Sequence, residues 1–273
     1  MVAAAAAGIL YIRAFFAAGE NERLEALPSD IGVVAFGFLA LSLIVKWLYF
    51  GVSEFGIQFS TRAVYALCLL GAYLLVESIY ATRMPKVKTA GMLVMPAVVV
   101  LLFWAWAGYG LEYTVTPALK NAWVVVHVIL ALMAYGALTV AVPAAVLQVI
   151  AENRLKKKKH LDKAFRKLPP LETLESITSK AAFVSFLFLT LVILTGALRA
   201  SMLPAWEKWW GDPKILAAVA TWAVFGGYLA GRYFYGLRGK RASFIIILGF
   251  AVAILTYFIN YLLPSIHNYG RGF

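Results

Sequence analysis

Residues 121–151 read NAWVVVHVILALMAYGALTVAVPAAVLQVIA, a run without a single Asp, Glu, Lys or Arg. A helix needs roughly 20 mostly apolar residues to cross the hydrocarbon core of a bilayer. This run is long enough to cross and to project beyond one face. The rest of the chain repeats the pattern. Apolar stretches near 2–18, 31–52, 62–82, 89–107, 121–151, 180–200, 215–236 and 243–264 each qualify as spans. The first is the weakest, being short, alanine-rich and interrupted by Arg13. No basic stretch precedes it, so it does not read as a cleaved signal peptide.

Composition agrees. Hydrophobic residues make up 63% of the 273 residues and charged ones 14%, against about 45–50% and 25% in a soluble domain. Too little polar surface is left to coat a globule in water. The expectation is an all-α, polytopic membrane bundle of about eight transmembrane helices forming a single domain over 1–273. One cysteine, Cys68, excludes a disulfide-stapled module and a Cys-x-x-Cys-His attachment site, so the chain is not itself a c-type cytochrome.

The charges set the orientation. Of the 25 lysines and arginines, fifteen fall in alternate connections, around Arg23, Arg83–Lys88, Arg154–Lys167 and Arg238–Arg241, and five in the opposite set. Cytoplasmic loops carry the excess, so the first set is expected inside and both termini outside. The stretch 152–179 then reads as a cytoplasmic basic loop. Its lysines at 156–159 and the net charge of +12 are explained as an anchor at the anionic lipid bilayer surface, and no nucleic-acid partner is expected.

On the outer face this topology gathers three features. His127 lies about two turns into the fifth span. His267 follows the eighth span in Pro264-Ser-Ile-His-Asn-Tyr-Gly270. Between them the external tryptophan-rich loop 201–214 contains Trp206-Glu-Lys-Trp209-Trp210-Gly-Asp212-Pro213-Lys214. Each has an ordinary reading: a histidine at a helix end is usually structural, and tryptophans at the headgroup level form aromatic belts. Together they suit a haem, which takes two axial nitrogens, aromatic walls and basic groups for its propionates. Lys46, Lys120, Lys208 and Lys214 are the candidate bases. A zinc site would want three or four ligands, and no third histidine is available outside. Asp212, at the turn before Pro213, is expected to cap the seventh helix. In that helix Gly227 and Gly231 form a Gly-x-x-x-Gly pair, which signals close helix packing. No catalytic dyad, phosphate loop or nucleophile motif is visible.

These motifs resemble the CcsA/ResC family of cytochrome c assembly proteins, defined by a tryptophan-rich "WWD" segment, and more broadly the CcmC and HemX-like haem-handling proteins. Trp123-Val-Val-Val-His127, Leu168-Pro-Pro-Leu-Glu-Thr-Leu, Trp209, Asp212-Pro213-Lys214, Trp222, Tyr228-Leu229 and Ser265-Ile-His267-Asn-Tyr269-Gly270 carry the resemblance. It implies that His127 and His267 are axial ligands of a non-covalent haem b, with Trp206, Trp209, Trp210, Asp212 and Trp222 in its pocket. It further implies a bacterial-type plasma membrane or thylakoid location, a CcsB/ResB-like membrane partner, and apocytochrome c or thiol-reducing factors outside. The function implied is holding haem at the outer face for delivery or attachment to apocytochrome c, as one component of a haem lyase system. Two alternatives stand beside it: a HemX-like regulator or anchor without ligation chemistry, and a b-type electron-transfer subunit.

The chain departs from the family pattern at several points. Gly211 and Ala217 stand where the family has tryptophans, and Ile215 stands where it has glutamate. Ala230 takes the place of the family's histidine within the membrane.

Overall fold

The computed structural model describes residues 1–17, 22–50, 58–108, 121–156, 168–202, 210–263, 265 and 267. Among them every regular element is helical: α1 (Val2–Ala17), α2 (Glu22–Phe50), α3 (Gln58–Tyr80), α4 (Gly91–Ala107, entered through a 3₁₀ turn at Pro85–Ala90), α5 (Ala122–Lys156), α6 (Leu171–Ser201), α7 (Pro213–Tyr235) and α8 (Gly239–Leu262). Seven of them are long and apolar enough to cross a membrane. The protein is a multi-pass membrane bundle.

α1 differs from the rest. At 16 residues it is about 24 Å long, short of the roughly 30 Å hydrocarbon core. Its alanines let it lie close on its neighbours instead. Ala4, Ala7 and Tyr11 are fully buried, and Gly8 sits so near Met95 of α4 that an added Cβ would lie 3.3 Å from that side chain.

Helix takes both ends of the stretch expected as the basic loop 152–179. α5 continues to Lys156 and α6 begins at Leu171, leaving residues 157–167 outside the description. The reason is local. Glu152, Asn153, Arg154 and Leu155 carry little penalty in a helix end already projecting from the bilayer. Pro170 is the N-cap of α6, where the missing N–H and fixed φ of proline are tolerated. The first turns of α6 are no loop in packing either, since Thr173, Leu174, Ile177 and Thr178 are buried.

Among the described residues, three clusters make the core. One joins α1–α4 and parts of α5 and α6 around Tyr11, Leu69, Tyr73 and Met95. Another joins α5–α8 around Leu138, Phe225, Tyr228 and Ile246. A smaller third joins α2–α5 around Leu43, Val64 and Leu132. α5 belongs to all three, and at Gly136 it lies close on α3: a Cβ there would meet backbone atoms of Cys68 at 3.0 Å. The outward faces carry Phe38, Leu48, Leu75, Phe103, Leu198 and Phe234, all well exposed. In water such a surface would be an aggregation hazard; against lipid tails it is the solvent-compatible one.

Side-chain bonds sort the helix ends. Ser29 and Tyr11 bond to Glu77, Tyr80 to Ser176, Ser243 to Gln148 and Arg232 to Glu175. These bring the ends of α1, α3, α5 and α7 together with the starts of α2, α6 and α8. At the other end the starts of α3, α5 and α7 meet the ends of α4, α6 and α8, and Met1, Val2 and Ala5 lie along Val99, Val100 and Phe103. Successive helices therefore alternate in direction. The first end carries Arg83, Lys86, Lys88, Arg154, Lys156, Arg238, Lys240 and Arg241, which by the lysine and arginine rule makes it the inner one.

Candidate functional site at the outer end

Asp212 organises the start of α7. As N-cap its Oδ1 accepts from the backbone N–H groups of Lys214 at 2.9 Å and Ile215 at 3.3 Å, and Pro213 opens the helix behind it. These are two of the four donors that a helix start leaves without partners. A cap of this kind contributes about 1 kcal/mol. The expectation of a capping Asp-Pro pair therefore holds. The same oxygen does more: the hydroxyl of Ser265 donates to it at 3.1 Å. The backbone N–H of His267 donates to Ser265 Oγ at 3.1 Å, and His267 Nδ1 lies 3.6 Å from Asp212 Oδ1. The segment beyond α8 is thus folded back onto the cap of α7, and one nearly buried carboxylate, 4% exposed, holds both.

His127 is held by α6. Its Nδ1 lies 3.0 Å from Thr195 Oγ1. That hydroxyl donates its one proton back along α6, to Leu191 O at 2.7 Å or Val192 O at 3.1 Å. It is left as an acceptor towards the ring. Nδ1 therefore carries the hydrogen, and Nε2 carries the lone pair. Gly196 makes the approach possible, since a Cβ there would stand 3.2 Å from the ring's Cε1. One turn earlier on α5, the indole N–H of Trp123 donates to Thr195 O at 3.0 Å, and Asn121 Oδ1 caps the helix start through Trp123 N at 2.9 Å. Both flanks of the Thr195 peptide are therefore engaged by α5.

The two imidazoles converge. His267 and Lys214 both lie within electrostatic reach of the His127 ring, although the residues come from α5, α7 and the segment after α8. Among the described residues no group of three or more histidines, cysteines or carboxylates is arranged to hold a metal ion. The donor set is two imidazoles, one bonded through Nδ1 to a hydroxyl and one beside a carboxylate. That suits a metal carried in a macrocycle, which supplies its own equatorial nitrogens, better than a bare ion.

The tryptophans divide. Trp206 and Trp209 lie outside the described residues, as do Lys120 and Lys208. Trp210 is 68% exposed. Trp222 faces α6, with its N–H donating to Thr190 Oγ1 at 2.9 Å and its ring stacked on Phe186 at 5.3 Å. Thr190 is five residues before Thr195 on α6, so this indole sits roughly 7.5 Å deeper along the bundle. Lys46 is half-buried near the end of α2.

Thr195, Gly196, Trp123 and Ser265 were not singled out as site residues from sequence, and neither was Arg62. That arginine is buried at the same end, 5% exposed, with its guanidinium over the Trp104 ring at 4.1 Å and donating to Trp104 O at 3.1 Å. Trp104 in turn stacks on Phe258 of α8 at 5.5 Å. A threonine inside an apolar helix gives no signal of its own, because such hydroxyls ordinarily bond back to their own helix, as this one also does.

A polytopic helical membrane protein with two histidines brought to one end of the bundle is the class that fold and site define. The sequence profile of the family described as "Cytochrome C assembly protein" matches residues 33–267, a stretch that contains both histidines and the α7 cap. The chain belongs to this family. It is similar to the cytochrome c biogenesis protein CcsA of Guillardia theta, 32% identical over 170 residues covering 56% of each chain. It is also similar to that of Prochlorococcus marinus subsp. pastoris, 28% identical over 92% of this chain and 85% of the relative. The CcsA of Chlamydomonas reinhardtii is 28% identical over 92% of this chain and 70% of its own length. No solved structure matches the chain.

Proposed function

We propose that this protein works in cytochrome c biogenesis by holding haem b at the outer membrane face between His127 and His267, for delivery or attachment to an apocytochrome c. The observation that carries the reading is that two imidazoles from distant parts of the chain come within electrostatic reach of each other, His127 bonded to Thr195 and His267 set beside the Asp212 carboxylate. Membership of the cytochrome c assembly family and relatives that carry the name CcsA support it.

The chain's own residues bind and orient. Thr195 fixes the tautomer of His127, and Asp212 with Ser265 fixes the segment bearing His267. Lys214, near the His127 ring, supplies positive charge suited to a propionate. Trp206, Trp209 and Trp210 would wall the ring edge, with Trp222 bracing the helices below. When bound, haem supplies two vinyl groups able to add the thiols of a Cys-x-x-Cys-His segment. The protein's part in that reaction is positioning rather than acid–base catalysis. A membrane partner of the CcsB/ResB type and external thiol-reducing factors would complete the system, in a bacterial plasma membrane or thylakoid.

One observation favours a second reading. The chain's three histidines stand at 127, 160 and 267, and Ala230 occupies the α7 position where the family carries its histidine within the membrane. A haem-binding regulator without ligation chemistry would need only the outer pair. Expression in a bacterium lacking its own CcsA-type protein separates the two. Covalent haem on a reporter cytochrome c, lost in His127→Ala and in His267→Ala, is expected for the assembly role. Haem bound by the protein with no reporter maturation, even alongside a CcsB-type partner, would contradict it and favour the regulator.

A further inference from the structure

His127 and His267 are held by partners of different chemistry. The acceptor beside His127 Nδ1 is the neutral hydroxyl of Thr195 at 3.0 Å, already polarised by donating to Leu191 O. Beside His267 Nδ1 stands the carboxylate of Asp212, at 3.6 Å an ion-pair rather than a hydrogen-bond distance; it is nearly buried, and Ser265 bridges the same oxygen to the His267 backbone. The negative charge of a carboxylate beside an imidazole favours positive charge on the ring and makes Nε2 a more basic donor. A neutral hydroxyl fixes ring and tautomer with much less effect on basicity. Gly196, against the Cε1 edge of His127, removes the steric stop that a side chain would give that ring on α6. Charge strengthens one ring, then, while the other is oriented by neutral packing.

We propose that Asp212 and Thr195 are positioning residues that make the two histidines unequal donors to the iron, His267 the stronger and His127 the weaker. The inference rests on the haem reading of the site and adds a rank order to it. It also gives Asp212 a second task besides its cap, which explains why its single oxygen Oδ1 serves the helix start and the His267 segment together.

The test is a comparison of purified full-length protein, loaded with haem, as wild type, Asp212→Asn, Thr195→Val and Thr195→Ser. Asparagine keeps an N-cap oxygen and removes the charge. Valine keeps the shape of threonine and removes the acceptor, and serine restores it. Asp212→Asn is expected to raise the midpoint potential and to weaken ferric haem binding about tenfold. Thr195→Val is expected to lower the low-spin fraction with a smaller potential shift, and Thr195→Ser to recover the wild-type spectrum. Of the ligand deletions, His267→Ala should lose more haem affinity than His127→Ala. A potential unmoved by Asp212→Asn would overturn the rank order, as would a larger shift from Thr195→Val or a greater affinity loss in His127→Ala. A wild type that binds no haem would overturn the haem reading itself, so the two failures are told apart.

Discussion

At the inner end of the bundle, polar side chains bond helix to helix; at the outer end they converge on the segments that carry His127 and His267. Glu77 on α3 takes the hydroxyls of Tyr11 from α1 and Ser29 from α2, while Arg232 reaches Glu175, Ser243 reaches Gln148 and Lys240 reaches Asn153. None of those inner pairs involves a histidine. At the outer end, Thr195 faces His127 and Asp212 ties the His267 segment to the cap of α7. Polar bonds at one end close the fold, and at the other they also hold two histidines. A membrane helix bundle gains little from burying apolar surface against apolar lipid, so polar groups kept away from water carry specific jobs.

Breaking an inner bond should therefore cost stability without touching the site. Glu77→Ala has the largest expected effect. It leaves two hydroxyls and a buried space behind, and is expected to lower stability by about 2–3 kcal/mol. Glu77→Gln, which keeps an acceptor, should cost under half of that. Thermal unfolding in detergent checks both, and the fraction that remains folded should bind haem as the wild type does. Gly136→Ala comes next, at about 1–2 kcal/mol, because its Cβ would press on the backbone of Cys68 at 3.0 Å where α5 packs on α3. A gain in unfolding temperature there would show that α3 and α5 have room to separate.

The outer end sharpens the contrast. Asp212→Ala removes the cap and is expected to cost about 1 kcal/mol, while Asp212→Asn should cost only a few tenths because asparagine also caps. Haem binding should weaken in both, and more than stability does. A variant whose haem affinity followed its stability alone would count against a directed role for the carboxylate. Least affected is Arg232→Ala. Its pair with Glu175 is short at 2.6 Å, yet both side chains keep contact with the surroundings, at 17% and 20% exposure, so the loss should stay below about 1 kcal/mol.

Much of this was legible in the sequence, for identifiable reasons. Spans show because each needs a long apolar run, and the alternation of ends follows from where lysine and arginine fall. His127 and His267 stood out because three histidines are few and the topology puts two on one side. Asp212 was readable as a cap from the Asp-Pro pair. The extra turns of α5 and α6 were not, since outside the bilayer a helix continues on propensity and neighbour packing, and apolar counting stops at the last hydrophobic residue. That α1 packs as a short helix depends on the fit of Ala4, Ala7 and Gly8 against α4, which is a tertiary property. Thr195 was invisible because its bond to Leu191 is what any buried threonine makes; only the neighbouring helix reveals its second partner. Arg62, one of the five charges counted from sequence in the outer set, lies instead buried against the Trp104 ring, which stacks in turn on Phe258, an arrangement set by three helices at once.

The central claim is that the outer end is a two-histidine haem site, and an absorption spectrum tests it most directly. Detergent-purified wild type supplied with haem should show a low-spin b-type Soret band, diminished in His127→Ala and in His267→Ala. His160→Ala, in the lysine-rich sequence between α5 and α6, should match the wild type. A wild type that stays colourless, or a band untouched by either outer substitution, would contradict the account and return both histidines to structural roles.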